Sequence, residues 1–265
     1  MSRNEPCICG SGTKQKKCHP DIAPNSRAGE VLLLYSELEE QINQHYTQPN
    51  VQRPPCHEGC DSCCYHNFTI TEIEFKIIAR EIKTWTKEQI EKLFNETFRQ
   101  LNLLKQDYPE VYSNLEASST LNTSVLKKQY EIMSETYGIP CPMLDTQTGK
   151  CSVYNARPLI CRTHGTTHSI LTEYIVCNKI PSNLENAKIT YNAVQIHDKA
   201  SSWDKIEIGD QLFQGRQYPI IYWLKLFLEP YKLTGKVQIP NEGRDFNISA
   251  DAAKRQQVAR MLGLR

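Results

Sequence analysis

The sequence has no excess of charge of either sign: 31 Lys and Arg face 30 Asp and Glu, a net charge of +1. So weak a field gives no strong nucleic-acid signal and no pull toward an anionic membrane. Long apolar runs are missing as well. The longest, residues 218–231 (YPIIYWLKLFLEPY), is broken by Lys225 and Glu229 and is too short to span a bilayer. The opening MSRNEPCICG lacks the apolar segment of a secretory signal. Glycine (12) and proline (14) are too scarce for a low-complexity chain, and a hydrophobic fraction of 39% is not that of a disordered one. No GxGxxG, P-loop or recognisable Ser-His-Asp order occurs. A small substrate such as S-adenosylmethionine is not thereby excluded. The expectation is a cytoplasmic protein without a membrane span, long enough at 265 residues for one sizeable core or two smaller ones.

Cysteine is what the chain has in quantity. There are 11, at positions 7, 9, 18, 56, 60, 63, 64, 141, 151, 161 and 177. Cytosolic thiols are kept reduced, so clustered cysteines there point to metal binding or catalysis rather than to disulfides. The odd total fits a disulfide framework poorly, and the adjacent pair Cys63 and Cys64 cannot easily close one.

The first group is PCICGSGTKQKKCH, residues 6–19: Cys7-x-Cys9, eight residues, then Cys18-His19. Three thiolates and an imidazole form a tetrahedral zinc set. Gly10 and Gly12 would let the backbone turn tightly beneath the metal. A peptide this short has no core of its own, so metal binding would supply its folding energy. The CGSG core, the lysines and the terminal Cys-His pair resemble the SEC-C motif, a small zinc finger found at the C-terminus of the SecA ATPase and attached to many bacterial proteins. That resemblance implies a zinc-stabilised docking knob for a protein or ribosomal partner.

The second group is CHEGCDSCC, with Cys56, Cys60, Cys63 and Cys64. The third, residues 139–165, supplies Cys141, Cys151 and Cys161, and Cys177 trails behind SILTEYIV. Residues 65–140 contain no cysteine. A cluster ending in Cys-Cys, then Cys141-Pro142-x-Leu144, then Cys151-x-x-Tyr154-x-x-Arg157-Pro158-x-x-Cys161-Arg162, resembles the YkgJ-like cysteine-cluster family, described as zinc- or iron-chelating. Flagellin lysine methylases of the FliB type carry a related pattern. The first cluster departs from the family: its first gap is three residues rather than two, and Asp61 stands where a glycine is usual. The resemblance covers roughly residues 52–180 and implies a metal-site architecture rather than a reaction.

Eight thiols from Cys56 to Cys177 exceed one tetrahedral site. They could hold two zincs, or one [4Fe–4S] cluster with thiols to spare. No regular CxxC pair recurs as in a zinc ribbon, and Arg157 and Arg162 flank Cys161, where guanidinium groups would offset the charge of a thiolate cluster. Surface ion pairing is the plainer role for those arginines. His57, His66, His164 and His168 lie near cysteines; His164, in CRTHG, is the strongest extra ligand or proton donor among them, although ordinary histidines are commoner. Tyr154 reads as a packed aromatic. A nucleophilic Cys161 beside Arg162 would leave its companion thiols unexplained.

The fold expected is mainly α with irregular metal-bound loops and minor β structure. Residues 1–22 form the SEC-C-like motif, 23–50 a linking helix, 51–180 the cysteine-cluster domain and 181–265 a helical extension packing on the core. Val31, Leu34, Leu38 and Ile42 share one face of a helix over 27–46. Thr71-x-x-Glu74 and Thr86-x-x-Gln89 read as capping boxes, the second opening a helix with Ile90, Leu93, Phe94, Phe98 and Leu101 on its apolar face. A further helix is expected over 123–136, a buried one over 218–228 and a short basic one in the tail. Two functions stand side by side: a metal-binding module that docks onto a macromolecule, or an iron–sulfur-dependent protein-modifying enzyme of methyltransferase type, which rests on analogy alone.

Overall fold

A computed structural model describes residues 4–49, 51–54, 56–66, 68–117, 138–168, 179, 194–195 and 217–262. The helix expected over 123–136 and Cys177 lie outside these. In chain order the elements are α1 (Gln15–Cys18), α2 (Arg27–Tyr46), a 3₁₀ turn (Ser62–Tyr65), β1 (Thr69–Thr71), α3 (Glu72–Ile82), α4 (Lys87–Asp107), α5 (Pro109–Ala117), β2 (Leu144–Asp145), β3 (Lys150–Cys151), a 3₁₀ turn (Tyr154–Ala156), α6 (Leu159–Thr163), β4 (Thr167–His168), β5 (Val194–Gln195), β6 (Gln217–Pro219), α7 (Ile220–Thr234), a π turn (Gly243–Asn247) and α8 (Ala250–Met261). The fold is mainly α, with three two-stranded ladders among the described residues. No helix of the described residues is long and apolar enough to cross a membrane.

The chain divides into two compact units, neither continuous in sequence. The first comprises Met1–Pro54, Arg162–Arg216 and Pro240–Arg265. Its N-terminal loop folds back on itself: Cys7 N donates to Thr13 O (2.8 Å) and Gln15 N to Glu5 O (2.9 Å). The loop ends in α1, a single turn too short to stand alone. Buried Gln15 braces it, donating from Nε2 to His19 O (2.8 Å) and Ile22 O (2.9 Å). Ser26 caps α2, accepting from Gly29 N at 3.1 Å. Residue 29 has to be glycine because the chain doubles back there: a Cβ would meet Ala23 O at 2.4 Å and Pro24 O at 2.5 Å. Val31, Leu34, Leu38 and Ile42 form the buried stripe of α2, as their spacing predicts. The C-terminal segment clasps the start of this helix. Phe246 is fully buried, its carbonyl accepts from Ala23 N (2.7 Å), and the buried Asp245 pairs with Arg27 (3.0 Å) and Arg244 (2.8 Å).

The second unit comprises Pro55–Cys161 and Gln217–Ile239. Strands β1 and β6 pair antiparallel, Ile70 opposite Tyr218, and Trp223 of α7 donates its indole N–H to Ile70 O (3.0 Å). Phe75 of α3 stacks on Trp223 and meets Phe227 edge-on, with ring centroids 5.5 and 5.4 Å apart. Both expected capping boxes are present. On α4 the buried face differs in part from its sequence reading. Ile90, Leu93 and Leu101 are buried with Thr97, Gln100 and Leu104, whereas Phe94 and Phe98 are half-buried and packed on each other at 4.4 Å. Two large rings at i and i+4 satisfy one another on the helix flank, and smaller residues take the tight contacts. Helix α7 forms where the apolar segment 218–228 lies, and is buried along Ile221, Leu224 and Leu228.

Candidate metal centres

The N-terminal quartet is assembled by a handful of local bonds. Gly10 N donates to Cys7 O at 3.1 Å, which closes the turn between Cys7 and Cys9. Gly10 (φ 77°) and Gly12 (φ 69°) take the left-handed backbone that this turn requires. Helix α1 then delivers Cys18 and His19 to the same point. The ligand atoms of Cys7, Cys9, Cys18 and His19 all lie within 4.8 Å of one another. Cys7 Sγ is 3.1 Å from His19 Nδ1 and Cys9 Sγ 3.5 Å from Cys18 Sγ. With zinc–sulfur bonds of about 2.3 Å, a tetrahedron has edges of about 3.8 Å. The four donors therefore fit a single zinc ion. Burial pushes the Cys7 thiol up to about 12. Burial acts the same way on Cys9, but contacts from His19, Ser11 and Cys7 outweigh it and bring that thiol down to about 5. Ser11 Oγ also lies 3.3 Å from Cys18 Sγ. Lys14, Lys16 and Lys17 are exposed on the outside of the finger.

The second centre is a cavity of about 50 Å³ in the second unit. Six cysteines line it: Cys60, Cys63, Cys64, Cys141, Cys151 and Cys161. They come from three stretches of chain. Cys63 and Cys64 sit in the 3₁₀ turn Ser62–Tyr65, where Cys64 N donates to Asp61 O (2.8 Å). Cys141 is tied directly to that turn, its N–H donating to Cys64 O (2.8 Å). The β2–β3 hairpin brings Cys151 opposite Leu144, and α6 carries Cys161. The hairpin approaches the Cys60 loop so closely that a Cβ on Gly149 would lie 2.7 Å from Gly59 O. Phe68, Met143, Val153 and Ile220 supply apolar wall.

Gathering thiols in one apolar place makes them hard to ionise together. Burial first, then Cys151, push Cys141 up to about 12. Burial and the neighbouring Cys63, Cys141 and Cys151 drive Cys161 well up, and the hydrogen bond with Cys63 followed by burial does the same to Cys64. Cys63 goes the other way, to about 7, chiefly through its contact with Cys64 and with help from Arg157. Arg157 is the cation lining the cavity. Its guanidinium lies 3.5 Å over the Tyr154 ring and its Nε donates to Tyr154 O (2.8 Å), so Tyr154 serves as a packed platform.

Cys56, Arg162 and His164, like His57 and His66, are not among the residues lining the cavity. Cys56 is partly buried, one step beyond the widened gap of its cluster. Arg162 follows Cys161 on α6, so its side chain leaves the helix in another direction; it forms an ion pair with Glu39 and sits 4.6 Å over Tyr35. His164 is not a lining residue either. None of the ten described cysteines is in a disulfide. Gly59 and Gly149 carry no site signal in the sequence. Lone glycines in HEGC and QTGK signal a turn but not which two turns meet.

Residues 55–180 match the CxxCxxCC family, whose description reads "Putative zinc- or iron-chelating domain", and residues 3–19 match the SEC-C motif. No curated protein and no solved structure matches the chain.

Proposed function

We propose that the protein carries two metal centres of different kinds: a structural zinc held by Cys7, Cys9, Cys18 and His19, and an iron–sulfur cluster in the cysteine-lined cavity. The observation that carries this reading is the convergence of six cysteines, from residues 60–64, 141–151 and 161, on one cavity that also holds Arg157. One tetrahedral ion has no use for six thiols, and soft thiolates are the ligands that iron–sulfur clusters take. The cluster ligands are drawn from Cys60, Cys63, Cys64, Cys141, Cys151 and Cys161, with Arg157 offsetting their negative charge. A cluster bound there would supply one-electron chemistry. The apolar walls restrict water around it. The finger, with Lys14, Lys16 and Lys17 exposed, docks the protein onto an acidic surface of a protein or ribosomal partner.

Anaerobic purification with metal and sulfide analysis and a visible spectrum tests the core centre. The expected result is one zinc per chain together with iron, sulfide and broad absorption in the visible. A colourless protein that carries zinc alone after anaerobic reconstitution with iron and sulfide rules the cluster out in favour of a second zinc. Cys9→Ser should remove one zinc and leave the core centre loaded, and Cys161→Ser should do the reverse.

A further inference from the structure

Glu74 is fully buried, and its two carboxylate oxygens serve different parts of the chain. Oε2 accepts from Thr71 N (3.1 Å), one half of the capping box of α3, and also from Thr71 Oγ1 (3.0 Å). Oε1 accepts from Leu159 N (2.9 Å), 85 residues further on. Leu159 is the first residue of α6 and Cys161 the third.

A helix of five residues cannot hold itself in place. Its first N–H groups have no partner inside the helix, and Pro158, just before it, has no N–H to offer. The Leu159 N–H is therefore one point at which the start of α6 is tied down. The anchor is a side-chain carboxyl oxygen of a fully buried residue, which accepts from Leu159 N at 2.9 Å. The capping role alone does not call for a glutamate. In the equivalent box of α4 the residue is Gln89, on the surface, with its Oε1 accepting from Thr86 N (2.9 Å). An amide has one acceptor oxygen, and its other terminus is an NH₂ donor that would face a backbone N–H if glutamine stood at position 74. At position 74 two backbone donors from two segments approach different oxygens, Thr71 N at Oε2 and Leu159 N at Oε1, and a carboxyl group offers an acceptor at each.

We propose that Glu74 is the positioning residue of the cysteine cavity: it locks α6 to the start of α3 and so fixes Cys161 among the other thiols. Glu74 does not line the cavity and acts through the Leu159 backbone. The proposal deepens the assignment of a core metal centre and rests on it for its purpose, though not for its geometry.

The test compares Glu74→Met, which keeps the length and removes both acceptors, with Thr71→Ala, which loosens the α3 cap but leaves the Leu159 bond intact. Both are made in the full chain and handled anaerobically. Cys161 labelling by N-ethylmaleimide is followed by peptide mass spectrometry, alongside the rate at which a chelator strips the core metal. In Glu74→Met, Cys161 should be alkylated at least ten-fold faster and core metal lost at least ten-fold faster, with one zinc retained in the finger. Thr71→Ala should move neither rate more than two-fold. Labelling of Cys161 within two-fold of the wild type in Glu74→Met overturns the proposal, and so does a Thr71→Ala variant that matches it, because general loosening of α3 then explains both. Should Glu74→Met fail to fold, Leu159→Pro deletes the same hydrogen bond from the other side, at a first helical position that suits proline, and must show the same gain at Cys161. A wild-type protein without core metal, in which Cys161 labelling still separates the two variants, sinks the metal assignment and leaves the positioning role standing.

Discussion

Gly10→Ala should weaken zinc binding at the finger far more than Gly12→Ala, and the difference can be worked from the two backbones. Both glycines sit in the left-handed region, at φ 77° and 69°, so alanine at either position pays about 1–2 kcal/mol. The surroundings differ. Around Gly12 a Cβ meets nothing within 4 Å, whereas at Gly10 it would lie 2.3 Å from Ser36 Oγ and 3.3 Å from Ser36 Cβ. Ser36 would have to leave its rotamer, at about 0.5–1.5 kcal/mol, and the loop would still press on its Cβ. Because the finger has too small a core to fold without its ion, the destabilisation is read as zinc affinity. With about 1.4 kcal/mol per factor of ten, Gly12→Ala should raise the zinc Kd by about five- to thirty-fold and Gly10→Ala by about ten- to several-hundred-fold. Competition against a chromophoric chelator measures both, with Cys9→Ser as the blank for zinc bound elsewhere. Adding Ser36→Ala to Gly10→Ala should recover the steric part and bring the pair level with Gly12→Ala. Equal affinities for the two single variants, or no recovery in the double one, would refute the close packing of this loop on α2.

Other substitutions separate the parts of the molecule. Asp245→Ala takes the 3.0 Å carboxylate from Arg27, 9% exposed, and should cost about 3–5 kcal/mol in a urea titration, since removing one partner of a buried ion pair is strongly destabilising; a loss below about 1 kcal/mol counts against the clasp between the C-terminal segment and α2. Gly149→Ala drives a Cβ against Gly59 O at 2.7 Å, where backbone cannot simply swing aside; core metal should fall while finger zinc stays at one per chain, and full core loading argues against contact between those two turns. Cys56→Ser should leave core metal content unchanged, because Cys56 does not line the cavity, whereas Cys60→Ser should lower it; metal analysis of the two side by side decides which cysteine opens the ligand set.

Those contrasts mark how far the sequence could be read. Elements whose signal is local are plain in it. The stripe Val31, Leu34, Leu38, Ile42 declares α2, and the two capping boxes declare the starts of α3 and α4, because helix periodicity and N-terminal hydrogen bonding involve residues three or four apart. The finger is legible for the same reason, with four donors and two turn-forming glycines inside thirteen residues. What could not be read are the long-range meetings. Nothing in the string pairs Glu74 with Leu159, Gly149 with Gly59, or Arg27 with Asp245. Arg162 illustrates the converse. Its neighbour in sequence is Cys161, yet a helix turns successive side chains about 100° apart, so adjacency to a cavity residue gave no reason for its guanidinium to reach the thiols; Glu39 holds it instead.

The two centres therefore differ in how metal and fold depend on each other. In the finger the donors are spaced so that closing the ligand loop orders few residues, and zinc and local fold form together. In the cavity the donors are spread from Cys60 to Cys161, and the segments that carry them are fastened by contacts that do not involve sulfur: Cys141 N to Cys64 O, the β2–β3 pairing, and Glu74 to Leu159. Such a cavity is largely shaped by the protein before any ion enters, because those hydrogen bonds and the Phe75–Trp223–Phe227 packing behind them are independent of ligation. Chelation should then unfold the finger but leave the second unit's helices in place, with its thiols newly reactive. With pre-organisation of that kind the protein, rather than a bound ion, bears the cost of holding the ligands apart.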